Sequence, residues 1–385
     1  MVRASFDEQD ADVIVLRIVV GLVGAGVVAG TLLSAIRTVV LPRPSAARLS
    51  RLVFLATRAV FDLRSRRARS YEQRDRIMAM YAPVSLLLLP LAWLSLVMAG
   101  FALLFWAVGE RPLSAALVAS GSSLLTLGFE RPDRLIGVLL AFLEAGLGVA
   151  VLALLLVTYL PSMYAAFSRR EQAVTLQEAR AGSPPSAVEL LSRYARIKGL
   201  GDLDPVWHEW QGWFADVQET HTSLPALVFF RSQQPDQSWV TAAGALLDAA
   251  SLYVAAVDHS RVTDEPRHDL GAPEAEVCIR AGYLALRRIT DYFEIPYDPD
   301  PDPDDPISIA REEFDRACAE MEEAGVPLVS DLDQAWRDFA GWRVNYDAPL
   351  LGLAALTAAP YAPWSSDRSQ IWRTRSLWRS LTLRQ

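Results

Sequence analysis

Pro112-Leu113-Ser114-Ala115-Ala116-Leu117-Val118-Ala119-Ser120-Gly121-Ser122-Ser123-Leu124-Leu125-Thr126-Leu127-Gly128-Phe129-Glu130-Arg131-Pro132 is the stretch on which the organisation of this chain turns. It lies between two segments apolar enough and long enough to cross a bilayer, which takes about 20 residues. Residues 113–124 are small and apolar, enough to enter half a membrane and too few to cross it. Pro112 suits a helix start, because its missing N–H is no loss in the first turn. From Leu125 to Pro132 the helical pattern breaks. Non-helical backbone at membrane depth survives only where protein buries it or where it lines a water-filled path. A half-length helix followed by such a strand predicts a re-entrant pore loop. The plain alternative is a short outer hairpin in a three-span anchor.

Working outward, three stretches qualify as spans: residues 13–41, 77–108 and 135–160. The first is too long and too acidic at its leading edge (Asp7, Glu8, Asp10, Asp12) for a signal peptide. Within it, Gly26 and Gly30 form a Gly-x-x-x-Gly pair suited to close helix packing, and Arg17 near one end can snorkel. Ten arginines, from Arg43 to Arg76, fall between the first two spans, whereas only Arg3 precedes the first. The positive-inside rule therefore puts that loop in the cytoplasm and the N-terminus outside. Arg169 and Arg170 after the third span agree, so the C-terminal half is expected in the cytoplasm. Leu52-Val53-Phe54-Leu55 and Val60-Phe61, set among the loop arginines, predict an amphipathic helix along the inner leaflet with a preference for anionic lipid.

In this setting the central stretch resembles the pore module of potassium channels, of the bacterial two-span type: outer helix, pore helix, filter, inner helix. Residues 116–125 read as the pore helix, and Thr126-Leu127-Gly128-Phe129 matches the first four positions of a Thr-Val-Gly-Tyr-Gly filter. Glu144-Ala145-Gly146-Leu147-Gly148 resembles the inner helix, with Gly148 at the hinge position. The resemblance covers residues 77–168, about a quarter of the chain. It implies that backbone carbonyls of Thr126, Leu127, Gly128 and Phe129, with the Thr126 hydroxyl, replace an ion's hydration shell in a homotetramer. Potassium is the ion it implies.

The departure lies at Glu130, where the family has its second filter glycine. A non-glycine residue held there at positive φ costs roughly 1 kcal/mol or more, so an altered outer site and weaker potassium selectivity are expected. Glu130 either rings the mouth with carboxylates or pairs with Arg131. The aromatic cuff of such filters is missing, since Val118 and Ala119 stand there. Glu144, an intramembrane carboxylate, either faces the cavity as a cation attractor or bonds the pore helix. Tyr159-Leu160-Pro161 is expected to end the inner helix at a cytoplasmic constriction.

After Phe167 the composition becomes that of a soluble protein. Helical patterns fit residues 206–220, 239–258, 272–293, 307–324 and 331–342, and another begins at Ala187. Strand-like runs are nearly absent, so an all-α cytoplasmic domain is expected. Neither a Gly-x-Gly-x-x-Gly turn nor any phosphate-cradling loop occurs, which speaks against a nucleotide-binding regulatory domain. Trp207, Trp210 and Trp213 share a helix face and predict a core or subunit interface. His208, His221, His259 and His268 lack zinc-site spacing. Cys278 and Cys318 read as two buried thiols. The Asp-Pro run over residues 297–306 lacks the glycine and closing glutamate of a calcium loop and reads as a solvated linker. Residues 371–385 form a basic, aromatic tail suited to anionic lipid or an acidic neighbour.

The 385 residues are 52% hydrophobic with a formal net charge of −8, which disfavours nucleic-acid binding. No enzyme signature, cofactor motif or metal site is found. The sequence thus predicts an all-α membrane protein in the cell inner (plasma) membrane. Residues 1–76 carry the first span and basic linker, 77–168 the pore module, 169–370 the helical domain and 371–385 the tail. Passive cation conduction regulated by the helical domain is the function expected. A non-conducting membrane scaffold or sensor that binds a protein partner is the alternative.

Overall fold

The computed structural model describes residues 2–39, 48–68, 70–110, 112–262 and 272–368. The basic aromatic tail, His268 and Arg43 lie outside these. Among the described residues the chain is helical, with one isolated bridge between Val257 and Leu328. Four helical stretches are long and apolar enough to cross a membrane, and the exposed apolar surface of three of them marks a membrane protein. The fourth, within residues 239–256, is buried on every side by its own domain, as a core helix is.

The chain divides into two compact units. The first, residues 1–68 and 77–164, contains α1 (Val2–Val39), α2 (Arg48–Ser65), α4 (Tyr81–Val108), α5 (Leu113–Leu124) and α6 (Leu135–Ala153). Helix α4 is its centre and packs against each of the other four. Val97, Phe101 and Phe105 of α4 meet Val28 of α1 and Ala116, Ala119 and Leu124 of α5 in one apolar cluster. The close approach of α1 and α4 uses Gly24 and Gly100. A Cβ on Gly24 would lie 2.6 Å from the Gly100 carbonyl oxygen. Gly26 and Gly30, the Gly-x-x-x-Gly pair suited to close helix packing, are not used in this contact and face open space. Spacing names a small-residue face, and the rotation of the helix decides which face is used.

Helix α2 is amphipathic as expected. Thr57 is buried and Val53, Phe54 and Phe61 are half-buried, whereas Leu52, Leu55, Val60 and Leu63 are exposed beside Arg51, Arg64, Arg66 and Arg67. Tyr81 at the start of α4 holds α2. Its hydroxyl donates to the Phe54 carbonyl at 3.2 Å, and the Arg58 guanidinium lies 5.3 Å from its ring centre.

The second unit, residues 69–76 and 165 onward, includes the start of α3 (Tyr71–Ala79), most of α7 (Leu160–Ala181), and α8 (Ala187–Arg196), α9 (Asp204–Ser223), α10 (Trp239–Ala256), α11 (Pro273–Tyr292), α12 (Arg311–Glu323), α13 (Leu332–Arg343) and α14 (Asp347–Thr357). Helix α10 forms its axis. Trp207, Trp210 and Trp213 are buried in this core, with the Trp210 and Trp213 rings 4.5 Å apart. Helix α14 was not foreseen, because it is short, contains Pro349 and Gly352, and is apolar without an amphipathic period.

Two buried arginines organise this unit. Arg343 donates to Asp248 and Asp347 at 2.5 and 2.8 Å and to the Trp364 carbonyl at 2.7 Å. Burial alone would lower its pKa, but the two carboxylates carry it above the ordinary arginine value. Arg170 donates to the carbonyls of Leu227 and Phe230, both at 2.7 Å, and lies 3.1 Å from His221 Nε2. Arg231, in a stretch with no chemistry legible beforehand, bonds the Asp75 carboxylate of α3 and the Thr357 carbonyl ending α14. In the Asp-Pro run, Asp298 and Asp302 accept backbone N–H groups two residues on, so these carboxylates cap turns.

Candidate ion-conduction site

Helix α5 spans 12 residues, about 18 Å at 1.5 Å per residue, half the thickness of a bilayer core. It starts at Pro112, whose carbonyl accepts from Ala115 and Ala116. Ala116, Ala119, Ser120 and Ser123 recur at helical spacing and form its buried face, while Leu113, Leu117 and Val118 are exposed.

The end of α5 and the stretch after it are one hydrogen-bonded piece. A helix leaves its last four carbonyls without intrahelical partners. Here the following N–H groups take them: Leu125 bonds Gly121 at 3.1 Å, Thr126 bonds Ser123 at 3.0 Å, and Leu127 and Gly128 bond Ser122 at 2.9 and 3.4 Å. The N–H of Glu130 bonds the Ser122 hydroxyl at 3.1 Å. In a planar trans peptide the carbonyl points opposite to the N–H that follows it. The carbonyls of Thr126, Leu127 and Phe129 are therefore aimed away from Ser122. Among the described residues, no hydrogen bond ends on any carbonyl from Thr126 to Phe129. The Thr126 hydroxyl donates to the Leu125 carbonyl at 2.7 Å and keeps its lone pairs. Residues 125–131 are all exposed, with Leu127 and Phe129 at 59% and 65%.

The positive φ values fall at Thr126 (+55°) and Gly128 (+69°), with Leu127 between them outside that region. Glu130 does not have a positive φ, so the strain anticipated there is absent. The cost sits instead at Thr126, a β-branched residue for which this conformation is unusual, about 1–3 kcal/mol. No ion pair joins Glu130 to Arg131 among the described residues, and both are exposed. Arg134 pins the return of the chain by donating to the Val108 carbonyl at 2.8 Å, beside the turn residue Gly109 at φ +123°.

Behind this stretch, Glu144 of α6 is fully buried. Its Oε1 lies 2.5 Å from the Ser120 hydroxyl, which also contacts the Met98 carbonyl of α4 at 2.9 Å. One serine thus ties the half-length helix to both long helices that flank it. Glu144 Oε2 is buried without a partner. Gly148 lies against the end of α5, where a Cβ would sit 2.7 Å from the Leu124 carbonyl oxygen. Helix α6 runs through Gly148 without interruption, and the close approach there gives this glycine a packing role.

The irregularity lies further on. Residues Leu154–Tyr159 form a π-helical turn, and α7 continues from it through Pro161 to Ala181. The inner helix therefore does not end at Tyr159-Leu160-Pro161. Pro161 has no N–H to give, and its ring would clash with the carbonyl four residues back; a widened turn just before it relieves both problems. Tyr159 is buried in the first unit.

Ser120 and Ser122 are the residues that sequence reasoning missed. Their signal was polarity: hydroxyls on an otherwise apolar half-length helix need partners, and only the fold could name them. No family model, curated protein or solved structure matches this chain, so the geometry alone bears on its function.

Proposed function

We propose that residues 77–168 are the pore module of a homotetrameric channel that passes monovalent cations, potassium first among them. The observation that carries the proposal is the peptide orientation after α5. N–H groups turn back onto Ser122, and unpartnered carbonyls from Thr126 to Phe129 are presented on the exposed side. Carbonyl oxygens freed in this way suit a cation that sheds its water. The C-terminus of α5 adds negative partial charge at the same place. Four copies are needed to surround an ion with such a stretch. The exposed side chains of Leu125, Leu127 and Phe129 are the apolar surface such an assembly would cover.

On this proposal the arginine-rich segment is cytoplasmic and the N-terminus lies outside, in the plasma membrane. The exposed apolar and basic face of α2 rests on anionic lipid. The helical domain regulates conduction through α7, which continues the inner helix. Glu130, standing where the family has a glycine, alters the outermost site and weakens discrimination between potassium and sodium.

The test is flux together with mass. Purified protein in potassium-loaded liposomes is expected to collapse the gradient, and its mass in mild detergent to equal four subunits. A tight gradient at a four-subunit mass would leave the alternative, a membrane scaffold whose helical domain binds a partner.

A further inference from the structure

Three N–H groups after α5 converge on Ser122, but they do not use it alike. Leu127 and Gly128 bond its backbone carbonyl, which any residue there would offer. Glu130 bonds its hydroxyl, which only this side chain supplies. We infer that Ser122 is the positioning residue that sets where the carbonyl ladder ends, and through it the ion preference at the outer end of the pore. The inference rests on the conduction proposal above.

The peptide between Phe129 and Glu130 is the last one turned toward α5. Its N–H is held by the Ser122 hydroxyl, so its carbonyl is directed outward with those of Thr126 and Leu127. Beyond it no hydrogen bond holds the Arg131 N–H among the described residues. Ser122 is 1% exposed, so water does not reach the hydroxyl to replace it. Gly128 and Leu127 remain fastened if the hydroxyl is lost, because their bonds are to the main chain. Removal of the hydroxyl therefore frees one peptide and leaves the inner part of the ladder standing. Ser120, two residues earlier, has a different duty: its hydroxyl faces Glu144 and Met98 and holds the helix itself.

The inference predicts separable effects. Ser122→Ala retains the four-subunit mass, while the ratio of potassium to sodium flux shifts by about tenfold, the equivalent of one hydrogen bond. Ser122→Thr, which restores an acceptor, returns the ratio toward the wild-type value. Should Ser122→Ala not assemble, Ser122→Cys keeps the volume with a weaker acceptor and is expected to move the ratio in the same direction. In the unaltered protein the Glu130 amide is expected to exchange with deuterium about tenfold more slowly than that of Arg131. A wild-type protein that passes no ions sinks the conduction proposal. An unprotected Glu130 amide, or a flux ratio unchanged in whichever variant assembles, overturns the role of Ser122.

Discussion

At Gly148 the place of a Cβ is taken by the Leu124 carbonyl oxygen, 2.7 Å away, whereas at Gly128 nothing lies within 4 Å. The two glycines are small for different reasons. Gly148 lets α6 touch the end of α5, and Gly128 permits a φ of +69°. Their alanine variants should therefore fail differently. Gly148→Ala must push two helices apart and is expected to cost about 1–3 kcal/mol, read as a lower Tm in detergent. Gly128→Ala meets no neighbour, so its Tm is expected to fall by no more than about 1 kcal/mol allows, while the ion flux that the conduction proposal expects is lost. Equal melting losses with equal flux losses would contradict this division. The sequence points to both positions, and leaves Gly148 open between a hinge and helix packing. A glycine in a helix looks the same from the sequence whether it bends or packs, and only the neighbouring carbonyl tells the two apart.

Helices were the most legible feature, because apolar length and a 3.6-residue period are local properties. The half-length α5, the amphipathic α2 and the helices of the second unit follow from them. Where one element yields to another is less local. The inner helix was expected to stop at Pro161, yet it continues by widening into a π turn over Leu154–Tyr159. If the turn accommodates the proline, Pro161→Ala is expected to restore α-helical bonding. Amides of residues 154–160 should then exchange more slowly, with about 3 kcal/mol as the upper limit of the local gain. Unchanged exchange across those residues would show that the proline is not the cause. On the conduction proposal, the same variant should also alter the open fraction in single-channel records.

For the molecule as a whole, the helical unit carries a titration that the sequence did not reveal. Burial, and after it the nearby Arg170 guanidinium, pushes the His221 imidazole well below its ordinary value. His221 is therefore neutral when folded and takes up a proton on unfolding below about pH 6.5. The unfolded state binds more protons there, so stability rises with pH up to about 6.5 and is level above it as far as this group is concerned. The loss on acidification approaches about 1.4 kcal/mol per pH unit below that point. Melting of the wild type should thus drop more steeply from pH 7 to pH 5 than that of His221→Gln, which has no proton to gain. Parallel curves for the two proteins would remove His221 as the source.

Composition and period by themselves determined that the chain is helical, that three stretches suit a bilayer, that residues 113–124 form an apolar stretch too short to cross one, and that a separate helical unit follows. These are sums over neighbouring residues, and burial of apolar length is a property of the sum. Only the tertiary structure decided that Gly24 and Gly100 make the α1–α4 contact, that Glu144 turns to Ser120, that the strain rests on Thr126, and that Ser122 gathers the N–H groups of the stretch after α5. Each of these depends on a partner distant in the chain or on the direction of a single peptide. Helical period fixes which residues share a face, but the rotation of one helix against another, set by the whole packed core, chooses which face meets which.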